Sequence, residues 1–162
     1  MNKRTRKPHA KDLRKGRYSS VNQIYLITTV IHKRQPLFLH WHLARILINV
    51  MRKHHQNGRV ESLAFVVMPD HLHWLLVLQD DLTLSELIRR VKGGSSRFMR
   101  MFCEKNDIAL DSGAVWQDGF YDRALRKDED CREAARYIVA NPLRAGLVDK
   151  IGDYPWWDAK WL

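Results

Sequence analysis

The chain is poor in cysteine. Cys103 and Cys131 are its only two, and they form no CxxC pair. That argues against a disulfide framework and against a zinc site built on cysteine. Long apolar runs are also missing. No stretch reaches the roughly 18 residues that suggest a membrane span. The N-terminus, "MNKRTRKPHAKDLRKGR", has no apolar segment of the kind a secretory signal carries. A cytoplasmic protein is expected. Neither internal repeats nor a linker can be found. The 162 residues therefore fit one domain, residues 18–162, behind a basic tail, residues 1–17.

Acidic residues are the other shortage. Eighteen Asp and Glu face twenty-eight Lys and Arg, a formal net charge of +10. Such a surface attracts polyanions, and counterion release makes nucleic acid a natural partner. Membrane phospholipid fits less well, because no amphipathic anchor stands out. The tail reads equally as a solvated arm and as a nucleic-acid arm.

What is present is a core. Apolar residues make up 45% of the chain, enough to fill one domain. "NQIYLITTVI" alternates and is β-branched, so it predicts a strand. "PLFLHWHLARILINVMRKHH" has helical spacing, opening at Pro36 and stopped by Gly58. "ESLAFVVM" and "HLHWLLVL" predict two strands joined by a turn at "PD". "LTLSELIRRVKGGSSRFMRMFCEK" predicts a helix capped at Thr83 or Ser85 and interrupted at Gly93 and Gly94. "VWQDGFYDRALR" predicts a strand. "KDEDCREAARYIVANP" predicts a last helix with Asp128 as N-cap and Pro142 as its end. The order is βαββαβ plus one helix. It implies an α+β, ferredoxin-like antiparallel sheet, with an extra C-terminal helix free to cross the other face.

Two histidines sit inside the apolar run "AFVVMPDHLHWLLVL". On a strand, His71 and His73 point the same way, about 7 Å apart at their Cα atoms. Leu72 and Trp74 then face the helices. The pair suits two ligands of one ion, and neutral imidazole takes Mn²⁺ or Zn²⁺ well. Two core histidines satisfied by hydrogen bonds is the plainer alternative. His40 and His42 have the same spelling but fall in a predicted helix, where residues two apart diverge by about 200°. His54 and His55 diverge as well. A third ligand must come from elsewhere. Tyr137 and Asn141, at i and i+4 on the last helix, share one side. Asn141 offers a carbonyl oxygen and Tyr137 a phenol. Packing and a helix end are the ordinary uses of those two residues.

"MPDHLH" together with "ARYIVANPLRAGLV" resembles the REP-associated tyrosine transposases, within the wider single-tyrosine HUH (His, hydrophobic, His) transposases and nucleases. The likeness runs from about Tyr18 to Tyr154 and includes "WQDGFYDRALR" and "DYPW". The resemblance implies a ferredoxin-like enzyme that cuts and rejoins single-stranded DNA next to hairpins. It implies that His71 and His73 hold a divalent ion, Mg²⁺ or Mn²⁺, with Asn141 as a further ligand. It implies that Tyr137 is the nucleophile and forms a 5′-phosphotyrosine. The wider class more often carries Gln where Asn141 stands. The family tail often reads Tyr-Pro-Trp-Ser-Ser, whereas this chain has "YPWWDAKWL"; packing is the expected job of Trp156, Trp157 and Trp161.

"RRVKGGSSR" offers Arg89, Arg90, Lys92, Ser95, Ser96 and Arg97 as DNA contacts, since glycine permits close approach and hydroxyls bond phosphate. A solvated basic helix face is the rival reading. Arg126, Arg136 and Arg144 flank the presumed site and are further candidates. Trp116, Phe120 and Tyr121 suit stacking on bases or, more ordinarily, packing. With DNA as substrate, a nucleoid-associated location follows. Monomer and homodimer are both open. Two other functions compete. A non-catalytic RRM-like binder of single strands explains fold and charge but gives no role to the His pair and Tyr137 together. A zinc hydrolase needs a set such as HExxH, and none exists here.

Overall fold

A computed structural model describes residues 19–79, 82–126 and 128–161. The basic tail and Tyr18 lie outside the described residues, as does the side chain of Asp128. Nine main elements run in the order β1 (Ile24–Val30), α1 (Trp41–Gln56), β2 (Val60–Met68), β3 (His71–Leu78), α2 (Leu84–Lys105), β4 (Tyr121–Leu125), α3 (Asp128–Val139), α4 (Asn141–Arg144) and β5 (Trp157–Ala159). The strands form one sheet in the order β4-β1-β3-β2-β5. Every neighbouring pair is antiparallel. The predicted βαββαβ order is present, and the architecture is α+β as expected.

Strand alternation divides the interior into two layers. One contains Ile27, Leu72, Trp74 and Leu76 with Leu43, Leu47, Leu87, Val91 and Met99 of α1 and α2. The other contains Val66 and Leu75 with Cys131, Ala135, Ile138 and Val139 of α3. The last helix therefore does cross the opposite face. Both cysteines are buried free thiols.

Four local expectations are corrected. First, the opening helix does not begin at Pro36. Residues Leu37–Leu39 form a 3-10 turn, and extended His40 precedes α1. Gly58, at φ +69, ends that helix as foreseen. Second, Gly93 and Gly94 do not interrupt α2, which runs unbroken for 22 residues. Two helical glycines cost roughly 1 kcal/mol each, less than its long buried face returns. A Cβ on Gly94 would stand 3.5 Å from Val50 Cγ1, an ordinary packing distance, so α1 and α2 do not require glycine there. The cap is Thr83, in a full capping box with Glu86.

Third, the strand expected across "VWQDGFYDRALR" is confined to Tyr121–Leu125, with one bridge from Trp116 to Ile31. Fourth, the C-terminal tail does more than pack. Residues 157–159 form β5, which covers the outer edge of β2 and so protects it from unwanted pairing. Around it Trp156 packs on the first layer, and Trp157 and Trp161 pack on the second.

Candidate active site

The β2–β3 hairpin turns at Pro69 and Asp70, and His71 opens β3 opposite Met68. His71 and His73 share the α3 side of the sheet, while Leu72 and Trp74 are fully buried on the other side. The two Nε2 atoms are 3.2 Å apart, with the rings at 87° to each other. Each Nδ1 is held from behind. His71 Nδ1 lies 2.5 Å from Asp70 Oδ1, and His73 Nδ1 lies 2.8 Å from Thr28 Oγ1. Asp70 Oδ2 also accepts from Arg34 Nη1 at 3.0 Å. Burial works to raise the Asp70 pKa, but the hydrogen bonds with His71 and Arg34 hold it below the usual carboxylate range. Burial first, then His71, then the Arg144 charge lower the His73 pKa to about 4. Its imidazole is thus neutral at physiological pH.

This arrangement fits a metal ion. An atom about 2.1 Å from both Nε2 atoms would see them roughly 100° apart, between tetrahedral and octahedral values. Partners on the far nitrogens fix tautomer and orientation, as the outer shell of a metal site does. Asp70 and Thr28 escaped the sequence reading. For Asp70 the signal was there, a carboxylate directly before the first histidine. For Thr28 only the strand register places it opposite His73. Among the described residues no three His, Cys, Asp or Glu side chains form a group suited to a metal ion.

The chain departs from the expected i, i+4 helix at its end. α3 stops at Val139, and Asn141 opens the separate turn α4, with Pro142 inside it. Proline has no N–H to give to the Ile138 carbonyl. Asn141 Nδ2 donates to that carbonyl at 2.8 Å instead. This turns Asn141 Oδ1 to Arg144, whose Nη2 donates to it at 2.8 Å and to the Tyr137 carbonyl at 2.8 Å. The guanidinium also lies 4.0 Å from the centre of the Tyr137 ring, a cation–π contact. Tyr137 is 63% exposed. By contrast Tyr25 and Tyr154 are packed, and their hydroxyls bond Ser20 N–H and the Val67 carbonyl. Burial pushes the Tyr154 phenol up to about 12.

The family model described as Transposase IS200 like matches residues 19–141, a span that takes in both histidines, Tyr137 and Asn141. The chain belongs to the IS200-like transposase family. This transposase is 25% identical over 137 residues to a Haemophilus influenzae protein described as a candidate REP-associated tyrosine transposase, covering 82% of the chain and 77% of that protein. It is 33% identical over 94 residues to the REP-associated tyrosine transposase of Escherichia coli K12, covering 57% of the chain and half of that protein. Its fold is similar to the solved structure of a REP-associated tyrosine transposase bound to a REP hairpin. That match has a TM-score of 0.70 at 25% identity, over 87% of this chain and 79% of the other. The resemblance read from "MPDHLH" and "ARYIVANPLRAGLV" is the one these comparisons return.

The remaining candidate residues of the transposase are scattered. α2 lies on the sheet face opposite the histidines, so Arg89, Arg90, Ser96 and Arg97 are not neighbours of the pair. Ser95 is no surface contact. It is fully buried, donating to the Val91 carbonyl and accepting from Trp116 Nε1. Lys92 is tied down as well, donating to the Gln117 and Gly119 carbonyls. Arg89 and Ser96, with Arg100, line a groove between α2 and residues 114–120. Arg126 is exposed just past β4, and Arg136 is exposed on α3 beside Arg132 and Trp161. Trp116 and Phe120 are buried and pack, whereas Tyr121 is exposed. The His42 ring lies between those of Trp41 and Phe102. Among the described residues no helix is long and apolar enough to cross a membrane.

Proposed function

We propose that this transposase cleaves and rejoins single-stranded DNA beside hairpins through a covalent link to Tyr137. His71, His73 and Asn141 would hold a divalent ion, Mg²⁺ or Mn²⁺. The observation that carries the reading is the pair of Nε2 atoms, 3.2 Å apart, each backed at Nδ1. A third, oxygen donor suits such hard ions, and the Asn141 amide supplies one on the element next to Tyr137. The hairpin-bound relative supports hairpin DNA as the partner. The net charge of +10 supports a polyanion of some kind.

When bound, the ion would neutralise charge on the scissile phosphate. The chain's own residues do the rest. Tyr137 Oη attacks phosphorus and loses its proton. The bond to the 3′ oxygen breaks, and that oxygen leaves as a 3′-OH. The 5′-phosphotyrosine retains the bond energy, so attack by a 3′-OH rejoins DNA and restores the phenol. Arg144, 4.0 Å from the centre of the Tyr137 ring, would pair with phosphate oxygens. A monomer working on successive ends and a homodimer both satisfy this chemistry.

The test is incubation with a single-stranded DNA hairpin and Mn²⁺, followed by denaturing electrophoresis. An SDS-resistant protein–DNA adduct is expected. Cleavage without adduct would replace tyrosine with water as nucleophile. Binding with neither would leave an RRM-like binder.

A further inference from the structure

Arg144 occupies a position that the metal and nucleophile assignments do not account for. Its Nη2 donates to both Asn141 Oδ1 and the Tyr137 carbonyl, and its Cζ lies 4.0 Å from the centre of the Tyr137 ring. Those bonds use two of its five N–H groups. Nη1 and Nε have no protein partner among the described residues. The guanidinium is thus fixed at one end and open at the other, the form in which Arg receives a phosphate.

We infer that Arg144 is a positioning residue that makes ion binding and DNA binding depend on each other. The inference rests on the assignment of the ion to His71, His73 and Asn141. Asn141 Oδ1 has two lone pairs, and Arg144 takes one. An ion on the other would sit about 2.1 Å from that oxygen. The cation and the guanidinium would then be within about 5 Å of each other in a partly buried site, where like charges repel strongly. Without DNA, Arg144 therefore weakens the ion's hold. A scissile phosphate set between the two positive charges reverses the sign, since each then attracts the same anion. The outcome is a site that fills with metal when substrate arrives, and a nucleophile held by the same residue that senses the phosphate.

The experiment uses full-length Tyr137→Phe protein, which keeps the ring under Arg144 but cannot cut. Mn²⁺ affinity is measured by electron paramagnetic resonance without DNA. Affinity for a fluorescent single-stranded hairpin is measured by anisotropy with and without Mn²⁺. By linkage, the Mn²⁺ stimulation of DNA binding equals the DNA stimulation of Mn²⁺ binding. Adding Arg144→Gln should tighten DNA-free Mn²⁺ binding about fivefold or more and reduce the Mn²⁺ stimulation of hairpin binding, leaving the part due to direct attraction between ion and phosphate. Arg144→Lys keeps the charge and should stay close to the parent. Unchanged or weaker DNA-free Mn²⁺ binding in Arg144→Gln overturns the inference and leaves the metal site standing. So does a Lys variant that behaves like Gln. Absence of Mn²⁺ binding in the parent, with and without DNA, overturns the metal site and the inference together.

Discussion

Tyr121 stands directly opposite Thr28 in the β1–β4 register, and Thr28 bonds the His73 imidazole. Opposite residues on neighbouring strands point to the same face. The exposed Tyr121 phenol therefore shares the histidine face, two strands and about 9–10 Å from His73 at the backbone. Of the four described tyrosines, Tyr25 and Tyr154 are packed with bonded hydroxyls, which leaves two accessible phenols. Tyr121 projects from an edge strand. Tyr137 sits one turn from Asn141 beneath the Arg144 guanidinium, where a phosphate gains a cation as well as a nucleophile. That difference favours Tyr137.

Tyr137→Phe removes one exposed oxygen and keeps the ring. Stability should change by less than about 0.5 kcal/mol, as for surface substitutions in general, and hairpin binding should persist. Adduct formation should vanish. Tyr121→Phe should retain it. Peptide mapping of the wild-type adduct checks the assignment, with the nucleotide expected on the fragment containing "YIVANPLR" and not on one containing Tyr121.

Replacing either histidine by Ala should abolish cleavage and spare hairpin binding, since phosphate contacts dominate affinity. The carboxylate behind His71 gives a finer test. Asp70→Asn keeps the turn but removes the negative charge from His71 Nδ1 and Arg34. Loss of such an outer partner typically weakens metal binding about 10–100-fold. Mn²⁺ titration of Asp70→Asn should show that weakening, with hairpin affinity in the absence of metal little changed. Equal Mn²⁺ affinity in the variant would mean that Asp70 serves the turn alone.

The sequence made the histidine pair legible because a strand period of two needs no tertiary knowledge. Leu72 and Trp74 followed from the same alternation. Residues whose role depends on another element were harder to read. Ser95 looked like a surface hydroxyl until Trp116, 21 residues on, came to rest against it. Lys92 looked like a phosphate ligand, yet residues 117–119 fold back to collect its ammonium group. The glycines of α2 spelled a break, but the buried face that α2 presents over Leu84–Lys105 outweighs their low propensity. β5 was missed because three residues are too few to show alternation, and the exposed edge of β2 selects them. Pro142 was read as the end of the last helix, whereas α3 already stops at Val139 and Pro142 lies inside α4. Its effect on the Asn141 amide, through the carbonyl it leaves without a donor, required the structure.

Thr29 offers a stability test away from the site. Its hydroxyl is buried on the α1–α2 side of β1 with no hydrogen-bond partner among the described residues. An unpaired buried hydroxyl costs roughly 1–3 kcal/mol. Thr29→Val keeps the β-branched shape and removes the polar atom. The variant should gain about 1 kcal/mol, a rise in Tm of about 2–4 °C, with adduct formation unchanged. Calorimetry decides it, and a fall in Tm would mean that the hydroxyl has a partner.

His54 supplies the pH dependence. It is buried at the end of α1, and its Nδ1 faces Arg59 Nη1 at 3.5 Å. Burial, then the charges of Arg59, Arg90 and Lys53, lower its pKa from the usual 6.5. The sign follows from which state binds the proton first. The unfolded chain takes it up near pH 6.5, whereas the folded chain resists until a lower pH. Stability from keeping His54 neutral is therefore complete above about pH 6.5 and is lost as pH falls through the folded value. His73 shifts the same way in the metal-free protein, so wild type alone cannot separate the two. The comparison is between wild type and His54→Gln, both without metal, by urea unfolding from pH 7.5 to pH 5. Both should lose stability on acidification, and the glutamine variant should lose less. Parallel curves would show that the buried end of α1 admits a proton without penalty.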